Sequence, residues 1–560
     1  MESLSSLNKQ SWLPWFLRGL LLFVFLGLLV RLTDLQIIRG GYFRSLAEGN
    51  RIRRVRIDAP RGKILARGGE TLVGNIPVKR KVEFDLKEGY RKADDITGAK
   101  EEELVVEYIR DYKLGGALGH VTGYVGEVNE EEVGKVKGEC VDKGPRKMHS
   151  FIGRSGLEEY YNCKLFGIDG EEMVEVDSSG KKIRTLGRRE PVAGEDLITT
   201  IDFGLQKKVA ELMIDKKGAV VVTDTKGEVL ALLSSPSYDP NVFVRKESAL
   251  IDALLKDENL PLFNRVISGS FHPGSVFKPV VSLAALTAGV IDENYTYEDI
   301  GYIKVGDFLY RNWYYTQYGG SEGAITLKKA IARSTDTFFY KIGELSGIDK
   351  IVETSEKFGL NVKTKIDLTG EIAGLVPSPD WKQKVKGERW YLGNTYHVSI
   401  GQGDLSLTPI EVNSAIAAIA SRGRLCSPSI SKEPECRELD IEKKHLELVI
   451  GGMKAACSAG GTGYTFFNFE EKSGGLVPIA CKTGTAETGV GDDTHAWFVS
   501  FAPVEDPEIV ATVLVEKGGE GSKEAGPIAR ELYNYWFDIK EETAATPSAT
   551  IFVSPTPSGN

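Results

Sequence analysis

GSFHPGSVFKPVVSLAAL, Gly269–Leu286, opens on a turn and closes on an apolar run. His272-Pro273-Gly274 bends the chain, and from Val276 onward only Lys278 and Ser282 are polar. Pro279 suits the first turn of a helix, where its missing N–H breaks no intrahelical bond. Ser275 therefore stands at the start of a buried helix, with Lys278 one turn on and on the same face. Burial disfavours a charged lysine, so the amine can be neutral near neutral pH and take a proton from a hydroxyl three residues away. Backbone N–H groups at such a start also suit an oxyanion. The bare S-x-x-K spacing recurs at Ser6/Lys9, Ser178/Lys181, Ser179/Lys182 and Ser429/Lys432, but in the chain start or in polar loops. Only Ser275 has the apolar setting.

Acyl transfer needs two further parts. Within ITLKKAIARSTDTFFYKIGEL (Ile325–Leu345), Ser334-Thr335-Asp336 falls at the junction of two helical stretches, where side chains can project into a cleft. Alone, these residues would be ordinary helix caps. Lys482-Thr483-Gly484-Thr485 follows a strand, Leu476–Cys481, and Gly484 would let a ligand backbone come close. The similar Lys472-Ser473-Gly474 has no strand before it. Gln402 reads as a chain turn near the cleft and His495 as a structural strand-end residue. No residue spacing suggests a metal site.

The rest of the chain frames these motifs. Leu13–Leu32 is almost wholly apolar, about the 20 residues a bilayer requires, and no small-x-small cleavage site follows it. The expected order is a short cytoplasmic segment, 1–12, and a transmembrane anchor, 13–33. A β-rich region, 34–189, follows, with an inserted head at about 76–150. A catalytic unit, 190–540, and a disordered Ser/Thr/Pro tail, 541–560, complete the chain. Lys92–Lys113 reads as a charged helical insert. Within the catalytic unit, Gly218–Ser235 is a hairpin, apolar helices run over Val280–Thr287, Thr326–Ala332 and Pro409–Ala420, and strands return late before a helix at Gly526–Phe537. That pattern predicts an α/β (α+β) sandwich whose sheet joins both ends of the unit. The net charge of −9 excludes a basic nucleic-acid-binding face. Six cysteines without C-x-x-C spacing leave a Cys426–Cys436 bridge conceivable outside the cytoplasm.

In chain order, SVFK, STD and KTGT resemble the S-x-x-K, S-x-N and K-T-G motifs of penicillin-recognising serine transpeptidases. APRGKIL (Ala59–Leu65) and GRSGLEEYYNCKLFG (Gly153–Gly167) resemble the elongated pedestal of class B penicillin-binding proteins. LITTID and SSPSYDPN resemble the opening of their transpeptidase domain. Trp390–Pro409 resembles the elongation-type subgroup, the penicillin-binding protein 2 group. The resemblance implies that Ser275 forms an acyl-enzyme with a D-Ala-D-Ala stem peptide or a β-lactam, and that Lys278 takes its proton. Ser334 with Lys482 would serve the leaving group, and Thr483, Gly484 and Thr485 would hold the substrate. The N–H groups of Ser275 and Thr485 would form the oxyanion hole. Asp336 replaces the asparagine of most of the superfamily, as a trait of the subgroup. No cofactor is implied. The implied site of action is the outer side of the cytoplasmic membrane, beside a glycosyltransferase partner and the elongation machinery. Two rivals remain: a D,D-carboxypeptidase or β-lactamase, and a non-catalytic β-lactam-sensing regulator of such a glycosyltransferase.

Overall fold

The computed structural model describes residues 12–539 except 86–88, 94, 101–103, 136–137, 149, 178–181, 476 and 490. Nearly all of the expected cytoplasmic segment, the Ser/Thr/Pro tail and Leu476 lie outside the described residues. The chain divides into two compact units. One comprises Met1–Arg61, Ile76–Ile109 and Gly167–Gly194, and the other Gly62–Asn75, Arg110–Phe166 and Glu195–Asn560.

In the first unit, α1 (Leu13–Thr33) has Pro14 in its first turn and no buried residue. It continues as a wider helical turn to Ile38, a 26-residue rod long and apolar enough to cross a bilayer. Asp34 receives Arg31 at 2.7 Å and Arg39 at 3.2 Å just beyond the apolar stretch. Gly40–Arg51 is helical, where the sequence reading expected strand-like chain. Phe43 and Leu46, three apart, fall on one face of that helix, a helical rather than an alternating period. Three antiparallel strands follow: β1 (Ile52–Ile57), β2 (Gly170–Val176) and β3 (Lys182–Arg189), with β2 central. Opposite charges face each other across them, as in Lys182–Glu172 at 2.9 Å and Arg184–Glu175 at 2.7 Å.

The charged insert is a second correction. Gly89–Ala93 and Leu104–Tyr112 are strands, not helix. Val105, Val106, Tyr108 and Ile109 supply the branched and aromatic side chains that pack on a pleated surface, and these outweigh the helix-forming glutamates before them.

The second unit is built on a five-stranded sheet: β4 (Gly218–Thr223), β5 (Val229–Ser235), β6 (Ala480–Glu487), β7 (Thr494–Ala502) and β8 (Ile509–Val515). Its order is β5-β4-β8-β7-β6, so the hairpin joins the late strands through β4 and β8, with Gly218 opposite Val515. Side chains alternate across the sheet. Val220 and Val222 enter one core with Leu205 and Val209 of α2 (Phe203–Leu212) and Leu532 of α8 (Gly526–Trp536). Ala219 and Val221 enter the other with Val281 of α3 (Lys278–Thr287) and Ile416 of α6 (Pro409–Ala420). Both faces are covered, as an α/β sandwich requires. Between α3 and α6 come α4 (Leu327–Arg333) and α5 (Asp336–Ser346); α7 (Lys443–Ala456) precedes β6.

Candidate active site

Ser275 lies in a short 3-10 turn, Gly274–Phe277, and α3 begins at Lys278. The start of the buried helix, where the sequence places Ser275, is this 3-10 turn leading directly into α3. Residues three apart still share a face, because 3-10 side chains at i and i+3 eclipse. Gly274 has φ +57°, a left-handed conformation that favours glycine, and its amide donates to Gly401 O at 2.9 Å. The glycine-rich Gln402 segment thus braces the turn from behind.

The second motif carries backbone strain. Ser334 caps α4 in the left-handed region, φ +57°, and α5 starts two residues later. A non-glycine residue held there costs about 1–3 kcal/mol and persists only where its surroundings over-determine it. Here the surroundings are two buried lysine side chains. Lys278 Nζ donates to Ser334 O at 2.8 Å and to Ser334 Oγ at 3.1 Å; Lys482 Nζ donates to the same Oγ at 2.9 Å. Lys278 also pairs with Asp336 Oδ1 at 2.7 Å and stands over the Phe339 ring at 5.0 Å.

The third motif lies within β6, not after it. The sequence reading ended the strand at Cys481, but Ala480–Glu487 is continuous. Glycine interrupts a strand's packing, not its hydrogen bonding, so Gly484 stays in register opposite Trp497. Gly484 also serves the packing of the site. A Cβ there would stand 2.9 Å from Trp497 Cβ, 3.0 Å from Val276 Cγ1 and 3.1 Å from Pro273 O. Gly484 lets the Ser275 turn lie against the strand, with Trp497, Val276 and Pro273 of this chain as its close neighbours. Among the described residues β6 pairs only with β7, which leaves its outer edge able to accept an extended peptide.

Both lysines are fully buried. Burial pushes Lys278 below the usual lysine range, with the Asp336 carboxylate opposing it. Burial and then the neighbouring Lys278 charge push Lys482 well below. Ser275 is half-buried, and its hydroxyl makes no hydrogen bond among the described residues. Apo catalytic contacts are often long and tighten only with substrate.

The structure thus unites Lys278, Ser334, Asp336 and Lys482 through direct contacts and packs the Ser275 turn on the strand of Thr483, Gly484 and Thr485. His495 is structural, as expected: its Nδ1 accepts from the Lys517 amide at 3.3 Å. Cys426 is bonded to Cys436. Sequence reasoning missed three features. Thr462, whose hydroxyl accepts from Thr483 at 2.8 Å, was hidden in a glycine-rich run. The Trp313 amide, which donates to Asp336 Oδ2 at 3.1 Å, had only an aromatic cluster as its signal. The Cys457–Cys481 bridge joins the end of α7 to the residue before Lys482; a cysteine abutting the motif was its trace.

Residues 218–534 match the penicillin-binding protein transpeptidase domain, and residues 90–199 match the penicillin-binding protein dimerisation domain. The peptidoglycan D,D-transpeptidase MrdA of Haemophilus influenzae is 35% identical over 462 residues, 77% of this chain and 69% of that protein. The penicillin-binding protein PBP2 of Helicobacter pylori, solved in complex with MreC, superposes with a TM-score of 0.75 at 27% identity, covering 87% of this chain and 99% of that one. PBP2 of Pseudomonas aeruginosa, solved in complex with WCK 5153, gives 0.70 at 30% identity, covering 88% and 100%.

Proposed function

This chain belongs to the penicillin-binding protein transpeptidases, and from that premise we propose that it is a membrane-anchored peptidoglycan D,D-transpeptidase of cell elongation with Ser275 as its nucleophile. The observation that carries the reading is the Ser334 hydroxyl, shared by the two buried lysines of the other motifs. Ser275 Oγ attacks the carbonyl of the penultimate D-alanine of a stem peptide while Lys278 Nζ takes the hydroxyl proton. The amide bond breaks, and the terminal D-alanine leaves as an amine whose proton comes from Lys278 by way of Ser334, with Lys482 beside it, which returns Lys278 to its neutral form. The N–H groups of Ser275 and Thr485 stabilise the oxyanion, and Thr483 with Thr485 holds the substrate carboxylate. An amine from a second stem then attacks the ester and gives its proton to neutral Lys278, which passes it to the departing Ser275 Oγ and so restores the hydroxyl. A β-lactam stops at the ester.

Residues 13–33 anchor the enzyme in the cytoplasmic membrane with its catalytic unit, 190–540, outside. Residues 34–189 form a pedestal that engages a scaffold of the MreC kind and a membrane glycosyltransferase. Charged residues flank α1 on both sides, so the orientation rests on where the substrate lies.

The test supplies purified full-length protein with a D-Ala-D-Ala donor and an amine acceptor. The expected product is the new amide, together with a penicillin adduct that persists for many turnover times. Donor hydrolysis alone would make the protein a carboxypeptidase, and rapid loss of the adduct a β-lactamase.

Asp336→Asn separates two roles for this carboxylate. The variant is expected to lower penicillin acylation by about a hundredfold, the lower end of the range for a lost general base. Because Asp336 raises Lys278 against burial, its removal lowers Lys278 further. The acid limb of acylation, where neutral Lys278 becomes scarce, should therefore move to lower pH. Unchanged acylation across pH would remove Asp336 from the mechanism.

A further inference from the structure

The Lys278–Asp336 pair rests on a second buried carboxylate that has no part in the chemistry above. Asp299 ends the strand Thr296–Asp299 and is 1% exposed. Among the described residues it has no ion pair; four neutral donors hold it instead. Oδ1 accepts from the Gly301 amide at 2.9 Å and from Thr337 Oγ1 at 2.7 Å. Oδ2 accepts from the Glu322 amide at 2.8 Å and from Asn312 Nδ2 at 3.3 Å. A buried carboxylate without a cation stays only where its donors are fixed, and so it fixes them in return.

Two of those donors point to the active site. Thr337 is the residue after Asp336. Asn312, fully buried, uses its other side-chain atom, Oδ1, to accept from the Asp336 amide at 3.2 Å. The next amide, of Trp313, donates to Asp336 Oδ2 at 3.1 Å. Asp336 is thus held by its backbone and by one carboxylate oxygen, and the other oxygen faces Lys278 at 2.7 Å. Both carboxylate oxygens of Asp336 are engaged, one by Lys278 and one by the Trp313 amide.

Resting on the function proposed above, we infer that Asn312, oriented by Asp299, is a positioning residue that aims the Asp336 carboxylate at Lys278. Asn312 touches neither Lys278 nor the reacting serine; it acts through Asp336. The amide side chain is required there because one end must donate to a carboxylate and the other must accept from a backbone N–H. Aspartate at 312 would set two carboxylates face to face.

Full-length protein in detergent is titrated with a fluorescent penicillin, and the acylation rate is measured against pH for four proteins: wild type, Asn312→Ala, Asp336→Asn and the double variant. The charged groups facing Lys278 are Asp336 of α5 and Lys482 of β6; only the first is expected to move. Asn312→Ala should label to the same stoichiometry at saturation, about tenfold more slowly, with its acid limb shifted to lower pH. In the Asp336→Asn background it should cost less than about twofold, since residues acting through one another are not additive. A profile that superimposes on wild type after scaling to labelled sites, or additive losses in the double variant, would overturn the inference. If Asn312→Ala does not fold, Thr337→Val removes one Asp299 donor from the α5 side and is read in the same way. Failure of Ser275 to label at all would instead count against the proposed function.

Discussion

Replacing Ser275 by alanine is expected to abolish covalent labelling by penicillin while leaving the unfolding temperature unchanged. Loss of a nucleophile costs about 10⁴-fold or more, because the rest of the machinery has nothing to act on. Most hydroxyls in such a cluster would take stability with them when deleted. Ser275 does not, because its Oγ has no hydrogen bond to forfeit among the described residues. Intact-protein mass spectrometry after β-lactam exposure reads the first effect and a thermal melt the second. A persistent adduct in Ser275→Ala would refute the assignment, and a collapsed melt would show that the side chain supports the fold.

Lys482→Met is expected to cut acylation by about 10²–10⁴-fold, the range of a lost acid–base partner, without lowering the unfolding temperature. The folded-state proton affinity of Lys482 lies well below its ordinary value of 10.5. The folded protein therefore binds fewer protons here than the unfolded chain between those two values. This penalty is absent above 10.5, grows as pH falls through the interval and is constant below it. Methionine fills similar volume without the charge, so the variant should melt at or above the wild-type temperature at neutral pH, the gain shrinking towards alkaline pH. A variant that melts lower at neutral pH and still acylates would remove Lys482 from both roles. Such a residue is kept for activity at the expense of stability.

The three motifs were legible because each couples an unusual residue to an unusual setting. Lys278 in an apolar helix and Gly484 in a strand both break the local pattern, and a broken pattern marks function. Neighbours from distant segments were not legible. Asn312, Asp299 and Thr462 look like turn residues in their own segments; only the fold brings them to Asp336 and Thr483. The same limit explains the misread insert. Glutamates at 101–103 suggest helix locally, whereas the strand Leu104–Tyr112 follows from what its branched residues pack against. The packing of Gly484 against Trp497, Val276 and Pro273 was not legible either, since contact with the chain's own turn leaves no trace in spacing.

The pairing of Gly218 with Val515 has a consequence for biogenesis. Along the chain, the two strands paired there are the first and the last of this five-stranded sheet. A chain delivered from its N-terminus would present the β4–β5 hairpin long before β8 exists to flank it. Its apolar edge is then a site for mispairing, in proportion to how slowly the remainder arrives. Folding of this enzyme should accordingly depend on holdase chaperones, and a truncation just before Ile509 should aggregate rather than fold to a weaker catalyst.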